Sequence, residues 1–139
     1  MATATSLEES YLVLIEFLML SKRRVIELGT ELGLTGMQTM MLFLLSAPRP
    51  MNSFSKMFNC DASNVTGLVD GLEQKKLASR YESTEDRRIK MVKLEPKGAQ
   101  VRSALLSRLT DRDDSPILSK LSAEEFQTFI ALLQKINAS

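Results

Sequence analysis

The chain has 139 residues, with 18 Lys or Arg against 17 Asp or Glu, one Cys and no His. That length suits one domain with its own core, and 44% apolar with 25% charged residues is ordinary for a globular protein. A lone Cys60 and no His exclude an internal disulfide, a Cys/His zinc site and a Ser-His-Asp or Cys-His catalytic pair. No metal and no cofactor are expected, and a reducing cytoplasm fits. Net charge is +1, yet residues 47–102 hold eleven basic and seven acidic side chains, a surplus of four, against −3 for the two ends together. A basic middle between acidic ends suits a module that faces a polyanion.

Ser6-Leu7-Glu8-Glu9 is a capping box that opens a long helix to about Leu32. Leu7, Tyr11, Leu14, Leu18 and Val25 mark one face, and Leu12, Val13, Ile15, Phe17, Met19 and Leu20 cover much of the rest. A helix apolar nearly all round must be buried on more than one side. It is either a subunit interface or the central helix of a monomer core; in so small a chain the interface is the expectation. The run Tyr11–Leu20 is broken by Glu16 and is too short to span a bilayer. Lys22-Arg23-Arg24 follows that run, whereas a signal peptide places its charges before it. A soluble, cytoplasmic protein with no membrane contact is expected.

Thr35-Gly36-Met37-Gln38 is a second capping box, predicting a helix to about Ser46 with Met37, Met40, Met41, Leu44 and Leu45 inside. Ala47-Pro48-Arg49-Pro50 breaks it. Met51 fits a short strand, Asn52 or Ser53 a cap, and Phe54, Met57 and Phe58 a short helix. Asn59-Cys60 then turns the chain, and Asp61 caps a helix to Lys76, completing a helix-turn-helix. Val65, Leu68, Val69 and Leu72 form its buried stripe. Ser63, Asn64, Gly67, Asp70, Gly71 and Gln74 occupy the other face, and Ser63, Asn64 and Thr66 lie in the first turns. Asn can pair bidentately with adenine, and Thr can meet a thymine methyl or a phosphate. The competing reading is that Ser and Asn near a helix start are simply caps.

Two strands are predicted over Ala78–Thr84 and Ile89–Leu94, with Val92 and Leu94 inward and Lys90 and Lys93 solvated. Their tip, Glu85-Asp86-Arg87-Arg88, is either a solvated charged turn or a basic wing able to enter a narrow minor groove, with Asp86 holding one Arg in direction. Pro96 opens a helix to about Thr110 with Val101, Leu105 and Leu109 on its apolar side. A polar break follows, and Ser122 to Glu125 is a third capping box for a helix burying Phe126, Phe129, Ile130, Leu133 and Ile136.

From Leu34 to Arg102 these residues resemble the MarR family of winged-helix transcription regulators. The resemblance is carried by Asp61 to Asp70, Leu72-Glu73, Leu77, Asp86-Arg87-Arg88, Val92, Leu94 and Pro96-Lys97-Gly98, with Leu34-Thr35 and Gln38 at the second-helix start. The outer helices match in length and apolar pattern. The resemblance implies a mainly α fold with a small β-hairpin wing, a winged helix-turn-helix over residues 34–95 on a helical dimerisation base formed by 6–33 and 96–139. It implies a homodimeric repressor of a pseudo-palindromic double-stranded DNA operator. Ser63, Asn64, Thr66 and Gly67 of the recognition helix would face the major groove. Arg87 or Arg88 would enter the flanking minor groove with Asp86 orienting one of them, and Lys90, Ser53 and Ser55 would meet phosphates.

The resemblance also implies relief by a small aromatic or phenolic effector. Oxidant-sensing members generally carry their cysteine near the first helix; Cys60 instead lies before the recognition helix, where structural packing is the expectation and a thiol that disturbs DNA binding when oxidised is the alternative. One departure concerns Gly71, where many members carry a basic residue. Gly67 and Gly71 also weaken a helix by about 1 kcal/mol each relative to Ala. The alternative function is a winged-helix protein-interaction module without specific DNA binding. An enzyme is not expected, since the chain holds no nucleophile–base pair, metal cluster or phosphate-cradling glycine loop.

Overall fold

Three helices start with a capping box. Ser6, Thr35 and Ser122 each accept from the amide three residues on, while Glu9, Gln38 and Glu125 reach back to the cap amide. The computed structural model describes residues 6–138. Its elements are α1 (Leu7–Thr30), α2 (Gly36–Leu44), β1 (Arg49–Pro50), α3 (Met51–Phe58), α4 (Ala62–Gln74), β2 (Ala78–Glu82), β3 (Lys90–Leu94), α5 (Pro96–Leu109) and α6 (Ala123–Asn137). The fold is mainly helical with one small antiparallel sheet in the order β1-β3-β2. Arg49 pairs with Val92, Arg80 with Val92 from the other side, and Glu82 with Lys90. The chain forms two compact units, Met1–Val101 and Arg102–Ser139. No described helix is long and apolar enough to cross a membrane.

The core of the first unit is the winged helix-turn-helix. Phe54, Val65, Val69, Leu72, Met41, Leu42 and Val92 are fully buried together, and Leu34, Leu45, Leu77 and Ala78 close the cluster. Each such aliphatic side chain contributes roughly 1.5–3 kcal/mol by leaving water. The turn between α3 and α4 places Asn59 in the left-handed region at φ 51°, which Asn tolerates better than most residues. In the second unit Leu105 and Ser115 are buried, and the Ser115 hydroxyl accepts from the Leu118 amide at 3.1 Å.

Several expectations are corrected. In α2, Met37 is exposed and Met40 half-buried, whereas Gln38, Thr39, Met41 and Leu42 face inward. The inner stripe begins with the polar Gln38, whose amide is used in the capping box, so an apolar pattern alone sets the wrong phase. Neither Asn52 nor Ser53 caps α3: Pro50 holds the cap position, and the Ser53 hydroxyl donates to the Pro50 carbonyl at 2.7 Å. The extended pair is Arg49–Pro50 rather than Met51. Both wing strands are shorter than expected, because the tip already turns at Ser83 and Ile89. No residue of α6 is buried, and Ile136 is exposed. Only Leu28 and Gly29 of α1 are buried, so α1 is not the central helix of a monomer core; Leu7, Tyr11, Leu12, Val13, Leu18 and Met19 all lie open.

Close approach explains Gly29, whose added Cβ would strike the buried Thr39 side chain of α2. Gly67 has nothing within 4 Å of the same position. Gly29→Ala is therefore expected to destabilise by about 1–3 kcal/mol through overpacking, and Gly67→Ala to stabilise by about 0.5–1 kcal/mol through helix propensity. Urea unfolding of the two variants checks the opposite signs.

Candidate nucleic-acid interface

The exposed side of α4 is set by what its start and its underside require. Asp61 caps the helix: its Oδ1 accepts from the Asn64 amide at 2.9 Å and from the Ser63 hydroxyl at 2.7 Å. The Ser63 bond, then the Asn64 amide, hold the Asp61 carboxyl below its ordinary pKa, so it stays ionised. The Ser63 proton is thus used locally, leaving its oxygen as an acceptor. The Thr66 hydroxyl donates to the Ala62 carbonyl at 3.0 Å, which leaves its oxygen lone pairs as acceptors. Asn64 is exposed, and among the described residues its amide side chain has no partner. It is the one group on this turn with a donor and an acceptor both open. Gly67 is exposed beside it, leaving the backbone bare.

Gly71 has a different cause. A Cβ there would meet the buried Gln38 amide, which the capping box holds in place. Its lack of a side chain serves the packing of α4 on α2, so a basic residue at this position would need that amide to move. Leu68 is half-buried, while Val65, Val69 and Leu72 complete the inner stripe.

The wing presents two arginines in different states. Arg88 donates from Nε and Nη2 to the two Asp86 oxygens at 3.0 Å each, and its own amide donates to Asp86 at 3.0 Å. This is a bidentate pair with the guanidinium still 90% exposed. Among the described residues Arg87 has no side-chain partner, and it is exposed. Of the two, then, Asp86 orients Arg88. Lys90 pairs with Glu82 across the strands at 2.9 Å.

Seven of the sequence candidates line two grooves, and Asp86 and Arg87 line neither. Ser55, Thr66, Arg88 and Lys90 line one groove of about 290 Å³ together with Asn52 and Met51. Ser63, Asn64 and Gly67 line a second groove of about 460 Å³ with Met37, Cys60 and Leu68. Ser53 belongs to neither, being half-buried and bonded to the Pro50 carbonyl. Cys60 is a free, half-buried thiol packed against the core.

Sequence reasoning missed Arg80. Its guanidinium donates to Glu73 at 2.9 and 2.6 Å and also to Asp70, and its amide donates to Glu73 at 3.3 Å. These bonds, Glu73 first, raise its pKa. The available signal was Asp70 and Glu73 three apart on one helix side, which invites a bridging cation. Asn52 is a further groove residue that the sequence does not reveal, since its type and position suggest the cap that Pro50 occupies.

Residues 34–90 match the MarR family model, the span that holds both grooves and the wing. Over that span the chain is similar to the MarR family. Solved structures are also similar to the chain. MarR from E. coli without ligand is 23% identical and superposes with a TM-score of 0.70 over 99% of this chain and 100% of that one. BldR from Sulfolobus solfataricus, a transcriptional regulator, is 27% identical with a TM-score of 0.70, covering 95% and 97%. A variant of S. aureus MepR bound to an oligodeoxyribonucleotide is 26% identical with a TM-score of 0.60, covering 91% and 94%. No curated protein matches the chain.

In this wing the Arg88 bonds hold the Asp86 carboxyl below its ordinary value, with the side-chain bond first and the backbone bond second. An unfolded Asp titrates near pH 3.9. The pair therefore stabilises the folded tip fully above that value and is lost as pH falls through the lower folded pKa. Carboxyl-carbon NMR is expected to place Asp86 below free aspartate, and Arg88→Ala to return it upward.

Proposed function

We propose that the chain is a DNA-binding transcriptional regulator acting as a homodimeric repressor of a pseudo-palindromic operator. The observation that carries this is Arg88, aimed by Asp86, sharing one groove with Ser55, Thr66 and Lys90 in a MarR-family winged helix. The likeness to a MepR variant bound to an oligodeoxyribonucleotide supports it.

In this reading α4 enters the major groove. Asn64 reads a base edge, Ser63 and Thr66 accept or pack beside it, and Gly67 lets the helix backbone come close. Arg88 enters the adjacent minor groove, where negative potential is deepest, while Arg87 and Lys90 meet phosphates. Ser55, which lines the Arg88 groove, meets a phosphate in this reading; Ser53 serves only if its bond to Pro50 opens. Residues 34–95 form the reading region, and 6–33 with 96–139 the dimerisation base. The open apolar face of α1, with Leu7, Tyr11, Leu14 and Leu18 exposed, is the surface a second copy covers.

Relief by a small aromatic or phenolic effector completes the reading. Lys22, Ile26, Met37, Met40, Met57 and Phe58 line a space of about 520 Å³, apolar with one cation, suited to such a compound. Binding would change the spacing of the two recognition helices and so the DNA-competent fraction.

One observation favours the protein-interaction alternative: α4 has no Lys or Arg. Salt separates the two readings. Fluorescence anisotropy on DNA flanking the coding region, against a shuffled duplex, is expected to show tight binding to the native sequence. The log–log salt slope should be about −0.9 per phosphate contact. Equally weak, salt-insensitive signals on both duplexes would favour the interaction module. Leu18→Glu is expected to convert a dimer to monomer in sedimentation and to abolish tight binding.

A further inference from the structure

Arg80 on β2 stands between the two elements that the proposed function assigns to DNA. Its guanidinium and amide hold Glu73, and the same Nη2 also reaches Asp70, both on α4. Arg80 lies opposite Val92 in the sheet, and Val92 is fully buried, so the strand carrying the guanidinium is itself anchored. Farther along the same two strands Glu82 pairs with Lys90, and the tip beyond them carries Arg88. One side chain thus ties the recognition helix to the hairpin that bears the wing.

Charge makes the tie more than mechanical. The only ionisable side chains of α4 are Asp70 and Glu73. Two carboxylates on a helix lying against phosphates repel DNA unless a cation is fixed beside them. The planar guanidinium bridges two carboxylates in a set geometry, whereas a lysine ammonium makes a looser point contact.

We propose that Arg80 is a positioning residue for DNA binding: by bridging Asp70 and Glu73 it fixes α4 against the wing, so that both reach adjacent grooves together, and it screens the two carboxylates from phosphate. This rests on the DNA-binding reading above. Arg80 itself touches no DNA in this account. Its contribution is therefore visible as coupling between sites rather than as a lost contact.

A double-mutant cycle tests it. A duplex is selected from a random pool with the wild-type protein. Its affinity is then measured for wild type, Arg80→Met, Arg88→Ala and the double variant, with thermal melting of each. In wild type, Arg88→Ala is expected to weaken binding about tenfold or more. In the Arg80→Met background the same change is expected to cost less than about threefold, because an untied wing contributes little. If Arg80→Met does not fold, the cycle is run with Arg80→Lys, which keeps the charge and loses the fork, and the same weakening of coupling is expected. Equal losses from Arg88→Ala in both backgrounds overturn the proposal, as does a lower melting temperature with coupling intact. Failure of the wild type to select any duplex removes the DNA-binding reading itself, and the Arg80 proposal with it.

Discussion

Everything exposed on α4 depends on what is buried beneath it. Val65, Val69 and Leu72 sit in one cluster with Phe54, Leu77 and Val92, and that packing fixes the rotation of the helix about its axis. A turn of the helix by one residue, about 100°, would bury Asn64 and Gly71 neighbours and expose the stripe. Because the stripe is fixed, Ser63, Asn64, Thr66 and Gly67 face outward together. The wing inherits its position from the same cluster, since Val92 of β3 lies inside it and pairs with both Arg49 and Arg80. Helix α4 and the wing are thus two extensions of one core, which is what the proposed grip on adjacent grooves requires.

The polar chemistry is layered on that core in a definite order. Asp61 and Ser63 are used first to start the helix, which leaves Asn64 as the open amide. Asp86 is used to aim Arg88, so the side chain loses little further freedom on reaching a groove. Arg80 neutralises part of the acidic charge of α4. With a whole-chain charge of only +1, arrangement matters more than total charge for any polyanion.

The parts of the fold governed by local rules were legible. Ser6, Thr35 and Ser122 each close the capping box their spacing announces, and Asp61 and Pro96 open their helices. The Asp86–Arg88 pair was also legible, being a contact two residues apart. What escaped depends on distant partners. Gly71 is explained by Gln38 and Arg80 by Glu73 and Asp70, pairs whose meeting no periodicity encodes. The phase of α2 was misread because a polar Gln heads its inner face. The apolar excess of α1 was plain in the sequence, and its face lies open on the single chain, where the proposed second copy would cover it.

The central claim is that one half-site is held in two grooves at once, by α4 and by the wing. Paired footprinting on a selected duplex measures this directly, with guanine N7 methylation reporting the major groove and hydroxyl-radical cleavage the minor groove. The expected result is protection of both kinds in each half-site, in two half-sites about one helical turn apart, with Arg88→Ala erasing only the minor-groove protection. Protection of a single groove, or a pattern unchanged by Arg88→Ala, would contradict the account.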